Sequence, residues 1–403
     1  MKNKKIGIVG AAVTSVLVAT MMGTPAAHAE AKVITMWTDL DRAGAFQQWA
    51  RRFNAKHSNI VLNVIGKDGA KDKLTTVADA DAPDIILGAH DWIGPLKASN
   101  LIVPVTIPLA TQFEARDKAA FKLMGATYGL PVTVENIGLF RNANMVAKAP
   151  KTFKELETTC LKFLKKKPKQ LFCIGVSPGD AYHMYPLYSG LGGYVFGGTS
   201  GNYNVKDLGV DNKKFLKNAP LIDKWYKEKL INQNVTGDTA LAAFTKKQIP
   251  FIITGPWNLD KLRLANINYE ISSFPQIIKG IKSVPFYGVQ GAMMTKWVNP
   301  DKHNVKLLTQ QVLADLATKD TQLLVANATI RTPANTLARK AFKDADSAAF
   351  FAAGKGAVTM PQILEMGLFW SNVANAWNYK KTDPTAVSRF KKAAAAIRSK
   401  LPK

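Results

Sequence analysis

Four groups of residues in this chain have the types and spacing that recognition chemistry needs. Trp37-Thr38-Asp39-Leu40-Asp41-Arg42 follows one short apolar run, and Ala89-His90-Asp91-Trp92 follows another. Glu135 follows Pro131-Val132-Thr133-Val134, and Trp257 follows Gly255-Pro256. Each group offers a ring, a charge, or both. A flat indole covers the C–H face of a sugar ring with little side-chain entropy to lose. A carboxylate accepts hydrogen bonds from hydroxyls and an arginine donates them; bonds with one charged partner are roughly twice as strong as neutral ones. Together the groups suit a carbohydrate. Taken singly, each has a plainer role: a Trp in a core, or an Asp capping a helix, as Asp39 or Asp41 would for the helix that carries Phe46 and Phe53.

The elements that must position these groups are legible as short apolar runs alternating with helical patterns. Val33 to Trp37, Ile60 to Ile65, Asp84 to Leu87, Leu130 to Val132, Ile137 to Phe140 and Ile249 to Thr254 read as strands. Phe46, Trp49, Ala50 and Phe53 stand at i, i+3, i+4 and i+7, one face of a helix; Val305, Leu308, Val312 and Leu316 mark another. Strands alternating with helices indicate an α/β architecture with mainly parallel sheets. In such open sheets ligands sit beyond the carboxyl ends of the strands, which is where the four groups fall.

Length and composition bound the rest. The 403 residues suggest two or three domains. With 47% hydrophobic and 21% charged residues, disordered, collagen-like and polytopic membrane chains are excluded. Met1-Lys2-Asn3-Lys4-Lys5, an uncharged run from Ile6 to Met22, and Ala27-His28-Ala29 form the three-part pattern of a secretory leader with cleavage near Ala29. No Cys follows the apolar run, so no lipid attachment is expected there. The predicted compartment is the periplasm or the exterior, and no nucleic-acid partner is expected.

Formal net charge is +25, a field that favours anionic partners without choosing among them. The densest basic stretch, Lys162 to Lys169, follows a T-x-x-E capping box at Thr152 to Glu155. Leu156, Cys160, Phe163 and Leu164 face a core at helical spacing. The lysines between them read as a solvated side, or as a surface for an anionic partner. Cys160 and Cys173 are the only cysteines; export allows a disulfide, and two buried thiols fit equally.

The chain resembles the bacterial maltose/maltodextrin-binding proteins, the extracellular sugar receptors of ABC importers. The corresponding stretches run in order through the chain. They are Ile34-Thr35-Met36-Trp37 with Asp41-Arg42, Pro83-Asp84-Ile85-Ile86 with Ala89-His90-Asp91, and Leu130-Pro131-Val132 with Glu135. Then follow Tyr185-Pro186-Leu187 with Gly192-Gly193-Tyr194, Val205 to Asn212, Gly255-Pro256-Trp257, Met360-Pro361-Gln362-Ile363 and Phe369-Trp370. The resemblance implies a two-lobed periplasmic binding protein fold of type II, each lobe a mainly parallel sheet flanked by helices. It places the first lobe at 30–134 and 287–332, the second at 135–286 and 333–403, and the ligand in the cleft between them.

Carried over by position, Asp41, Arg42, Asp91, Glu135, Asp180 and Tyr182 would bind sugar, and Trp257 and Trp370 would stack on it. Arg42 stands where the family usually has Lys, and Asp180 where it has Glu. The family's first-lobe stacking Trp is Gly88 here. The Arg after Ala-His-Asp is Trp92, which would restore an aromatic surface from the neighbouring position. After Trp370 the family's Tyr and Arg become Ser371 and Ala374. The implied function is capture of an oligosaccharide by a monomer through hinge closure and delivery to an ABC permease, with no cofactor and no catalysis. Two alternatives come from the residues: the same fold holding a metal, polyamine or anion, with Tyr182-His183-x-Tyr185 as candidate ligands, and a glycoside hydrolase using Asp91, Glu135 or Asp180. The sequence carries no P-loop and no H-E-x-x-H.

Overall fold

The computed structural model describes residues 31–199, 201–379, 382–383 and 385–402. The expected leader at 1–29 lies outside the described residues. Among the described residues, no helix is long and apolar enough to cross a membrane.

The first strand, Lys32–Thr38, buries Ile34, Met36 and Trp37. It pairs in parallel with Ile60–Gly66 on one side and Ile85–Ala89 on the other. The helix Leu40–Asn54 links the first two strands and buries Phe46, Trp49, Ala50 and Phe53, the face its spacing predicts. The full sheet runs Thr332–Pro333, Leu130–Glu135, Phe286–Met294, Ile85–Ala89, Lys32–Thr38, Ile60–Gly66, with Val358–Thr359 beside Phe286–Met294. A second sheet runs Tyr269–Ser272, Gly138–Asn142, Phe251–Thr254, Ile174–Gly175. The first sheet has a core that gathers residues from 34 to 134, 287 to 334 and Ala357; the second sheet packs between a larger core drawn from 137 to 286 and 360 to 397 and a smaller one of Phe140, Phe172, residues from 235 to 267, and Phe350. The helix Thr336–Ala341 is tied to the first of these units through Arg339, which pairs with Glu114 and Asp117. The protein is an α/β molecule with two principal sheets and two small two-stranded ones among the described residues.

The sheets are mixed, which corrects the expectation that they are mainly parallel. Phe286–Met294 is antiparallel to both Ile85–Ala89 and Leu130–Glu135. Gly138–Asn142 is antiparallel to both its neighbours. The reason is the crossing of the chain between the two cores. Strands delivered by helices run toward the junction; a strand that has just crossed starts at the junction and runs away from it. Gly288 therefore pairs with Glu135, and Gly138 with Thr254, at the junction end of each sheet.

The junction is braced by His90, which is fully buried. Its Nδ1 accepts from the Val289 backbone N–H at 3.1 Å, so the proton sits on Nε2, which donates to the Met360 carbonyl at 2.9 Å. Burial holds its pKa below the usual imidazole value, and the ring is a neutral strut between two crossing segments. In the second unit Thr152 caps the helix Phe153–Lys166 by accepting from the Glu155 N–H. The capping box is displaced by one residue, because Glu155 reaches back to the N–H of Lys151 instead of Thr152. Cys160 and Cys173 form a disulfide with Cα atoms 5.6 Å apart, which decides between the two readings of these residues.

Candidate functional site

The strand ends meet at the junction, as the sequence reading expects. A cavity of about 490 Å³ is lined by Asp91, Trp92, Glu135, Asp180, Tyr182, Trp257 and Trp370 among others. An adjoining cavity of about 350 Å³ is lined by Asp41 and Arg42, and shares Glu135 and Trp257 with the first. All nine residues singled out from the sequence thus converge, although they come from segments more than 300 residues apart.

The aromatic side is built on the second core. Tyr182 packs between Phe286 at 6.0 Å, Trp257 at 6.2 Å and Trp370 at 6.4 Å, measured between ring centroids. Burial, with Glu135, Asp180 and Asp91 nearby, pushes its phenol far above the ordinary value, so the hydroxyl stays a neutral donor. Trp370 extends from the helix Met366–Trp377 and donates from Nε1 to Asp91 Oδ2 at 3.2 Å. That bond joins the two sides of the cavity. Asp180 caps the helix Ala181–Gly190, accepting from the N–H groups of Tyr182 and His183, and its other oxygen meets His183 Nδ1 at 2.6 Å. Burial works against its ionisation, but these hydrogen bonds outweigh it and hold the carboxyl below the usual range.

Trp92 and Trp257 share a local design. A β-carbon at Gly88 would overlap the six-membered ring of Trp92, and one at Gly255 would overlap that of Trp257. Each indole packs against a glycine just before it in the chain, four positions before Trp92 and two before Trp257, where a β-carbon has no room. Gly88 and Trp92 are therefore one unit: the ring at 92 takes the space above position 88. Gly88→Ala is expected to lift the Trp92 ring and weaken ligand binding by about fivefold to tenfold, from the loss of part of a buried aromatic contact. The check is Trp fluorescence together with titration calorimetry; unchanged affinity would detach Trp92 from the site.

The polar side is a closed ring of side chains. Arg42 Nη1 donates to Gln290 Oε1 at 2.7 Å, and Gln290 Nε2 donates to Glu135 Oε1 at 2.6 Å. Arg331 donates from Nε to Glu135 Oε2 at 3.0 Å and from Nη2 to Asp41 Oδ2 at 2.5 Å. Asp41 Oδ1 lies 3.7 Å from Arg42 Nε, which closes the loop. Asp39 stands at the N-cap position but does not cap; its carboxylate takes Arg42 Nη2 at 2.5 Å. Burial alone would raise Asp41, yet the guanidiniums of Arg331 and Arg42 outweigh it and hold the carboxyl low. Asp39 goes the other way, because its burial exceeds the help from Arg42.

Arg331 and Gln290 escaped the sequence reading, while Asp39 was read within the first group but as a helix cap rather than as the partner of Arg42. The signal for Arg331 was conformational. Ile330, at the end of the helix Lys319–Thr329, has φ 54°, a left-handed backbone that a β-branched residue adopts only under constraint. That strain sits immediately before the arginine that unites two carboxylates.

The sequence profile described as bacterial extracellular solute-binding protein matches residues 48–352, well over half of the chain. The chain belongs to this family. A maltodextrin-binding protein of Bacillus subtilis is 26% identical to this solute-binding protein over 386 residues, 90% of this chain and 89% of the relative. A galactooligosaccharide-binding protein of the same organism is 28% identical over 269 residues, 64% of this chain and 63% of the relative. A maltooligosaccharide ABC transporter solute-binding lipoprotein of Streptococcus pneumoniae is 23% identical over 397 residues, 92% and 91% of the two chains. In this solute-binding protein the junction cavity is lined by residues that pack on both cores.

Proposed function

We propose that this protein captures a neutral oligosaccharide in the junction cavity, closes around it, and releases it unaltered to an ABC permease. One observation carries the reading: three carboxylates and four aromatic rings, drawn from both cores, line a single cavity. Rings supply contact area for sugar faces, and ionised acceptors sort the hydroxyls. The ligands in the relatives' names, maltodextrin, galactooligosaccharide and maltooligosaccharide, support the same class. Contacts made by both cores at once exist only when the cavity is closed, so a bound ligand shifts the population toward closure. The two lobes of this mechanism divide near residues 134 and 286, with the helix Thr336–Ala341 moving with the first. Export, cleavage near Ala29 and a monomeric state complete the proposal.

The geometry favours binding over hydrolysis. The segment Gly175-Val176-Ser177-Pro178-Gly179 has the G-x-S-x-G spelling, and His183 with Asp180 supplies the other residue types of a hydrolytic triad. Among the described residues no hydrogen bond joins Ser177 to His183. Asp180 is held ionised rather than kept as a proton donor, and Glu135 is committed to Arg331. For a metal, Tyr185 is withdrawn from the set, stacked on Phe286 at 3.5 Å. Among the described residues no group of three or more His, Cys, Asp or Glu is arranged to hold an ion.

Titration calorimetry against maltodextrins, other glucans, sucrose-like, galactose-based and xylose-based oligosaccharides tests the reading, with small-angle scattering on any pair that binds. The expected result is saturable binding of one class with compaction and no new reducing ends. Binding of none of these, or binding without compaction, overturns it.

A further inference from the structure

The lysine run singled out in the sequence takes no part in the cavity, and the structure gives it a setting. The helix Phe153–Lys166 buries Leu156 and Cys160 and ends in Lys165 and Lys166. The turn that follows carries Lys167 and Lys169 and leads straight to Leu171, which is 58% exposed. The disulfide from Cys160 to Cys173 fixes this corner. The N–H groups of Cys173 and Ile174 donate to the carbonyls of Lys229 and Leu230, which brings a second basic segment alongside. Between the two lies a groove of about 340 Å³, lined by Leu171, Tyr226, Lys227, Lys229, Asn232 to Asn234, and Tyr379.

Three features define what this groove can hold. Its lining contains two lysines and no carboxylate. From Thr158 to Gly179 the chain contains no acidic residue at all. The acids nearby are already engaged: Glu157 pairs with Lys154 and Lys224, and Glu228 faces Lys224 at 3.7 Å. Among the described residues Lys162, Lys165, Lys166, Lys167, Lys169, Lys227 and Lys229 have no carboxylate within 4.0 Å, and all seven are exposed. The groove itself is not simply cationic. Tyr226 is fixed by a hydrogen bond from its hydroxyl to the Trp377 carbonyl at 2.6 Å, and Tyr379 stands 6.3 Å from it. Asn232-Gln233-Asn234 completes the wall; the Asn232 side chain donates to the Leu171 carbonyl at 3.4 Å and accepts from the Asn234 N–H at 2.9 Å, which leaves the exposed amides of Gln233 and Asn234 to meet a ligand.

We propose that this corner binds a phosphodiester-linked polyol chain, an anionic polymer of the outer face of the cell. Lysines on either side neutralise phosphates, amides pair with hydroxyls, and the tyrosine rings cover C–H groups. A lipid bilayer fits less well, because the groove presents one exposed leucine and no broad apolar face to insert. Nucleic acid has the same phosphodiester charge, but its bases need exposed rings to stack on, and Tyr226 and Tyr379 are both half-buried. The groove lies at the amino-terminal end of the strand Ile174–Gly175, whose other end leads to Gly179 and Asp180 in the junction cavity. A polymer held at this pole leaves the solute site open. The proposal stands independently of which solute occupies that site.

The test uses the full chain lacking residues 1–29 and immobilised poly(glycerol phosphate). Two charge variants are compared: Lys165, Lys166, Lys169, Lys227 and Lys229 to Gln, and a control with Lys32, Lys56, Lys73, Lys306 and Lys319 to Gln. The control residues are exposed and belong to the first core's segments. Retention at 50 mM salt should fall steeply by 500 mM, since each neutralised phosphate releases a counterion. The groove variant should bind at least tenfold more weakly with a shallower salt slope. The control should lose less than twofold. Thermal midpoints of both should match the parent, which keeps folding out of the comparison. Equal losses in the two variants would show diffuse charge and overturn the site. Tighter binding to phosphatidylglycerol vesicles or to single-stranded DNA than to the polymer would overturn the assigned chemistry. No retention at 50 mM salt would overturn both.

Discussion

Trp257→Ala is expected to weaken binding of the preferred oligosaccharide by roughly 100-fold, about 3 kcal/mol. Trp257 lines both cavities of the junction, as Glu135 does, and its ring is the aromatic surface common to the two. It packs at 6.2 Å from Tyr182 and at 5.6 Å, edge to face, from His183, which leave its orientation little freedom. The loss is a loss of contact area and of preorganisation together. The ring is half-buried rather than central to the core, so the thermal midpoint should move far less than the affinity. Trp370→Ala is the companion case. It removes the ring and also the hydrogen bond to Asp91, so it should weaken both binding and the compaction seen by scattering. Calorimetry decides: an affinity within threefold of the parent for Trp257→Ala would place the ligand elsewhere.

Arg331→Met should have the second large effect, and on two readouts at once. The guanidinium side chain is 3% exposed and holds Glu135, itself 7% exposed, and Asp41, which is 42% exposed. Burial disfavours the charged guanidinium, but Glu135 and Asp41 outweigh it and hold Arg331 above its usual pKa. Removing it leaves a buried carboxylate without its cation, a change that costs about 3 to 5 kcal/mol when a buried pair is broken on one side. Glu135 then loses its fixed position against Gln290, and through Gln290 the loss reaches Arg42. Ligand affinity should therefore fall along with stability. The double variant Arg331→Met with Glu135→Gln separates the two. It removes the unpaired charge and should recover at least half of the lost stability without restoring affinity. Denaturant unfolding that shows less than 1 kcal/mol of change in the single variant would mean the ring is not a structural unit.

Much of the scaffold was legible because its determinants are local. The 3.6-residue period from Phe46 to Phe53 sits on an observed helix face, and the apolar runs at Lys32–Thr38, Ile60–Gly66 and Ile85–Ala89 are observed parallel strands. Strand direction after a crossing was not legible, because a run such as Phe286–Met294 reads the same whichever way it enters a sheet. The site residues divide in the same manner. Trp257 and Asp91 were found because they follow strand ends. Gln290 was not, because it lies inside the strand Phe286–Met294, and Arg331 was not, because it sits in the short link between the helix Lys319–Thr329 and the strand Thr332–Pro333, with no ring or apolar run ending beside it to mark a strand end. The Gly88–Trp92 pairing was read as an exchange of positions; the glycine's role as the floor under the ring became visible only with the ring in place.

The sequence alone determined the alternation of strands and helices, the aromatic and acidic groups at strand ends, and the likeness to sugar receptors. These follow from contacts between residues a few positions apart, which periodicity and turn chemistry report. Tertiary structure alone decided which charges neutralise one another. The bond from Arg331 to Asp41 spans 290 positions and that from Arg42 to Gln290 spans 248. Coulombic attraction between side chains depends on their separation in space and on the exclusion of water around them. Neither quantity is encoded in spacing along the chain, and both are set when the crossing strands bring the two cores together.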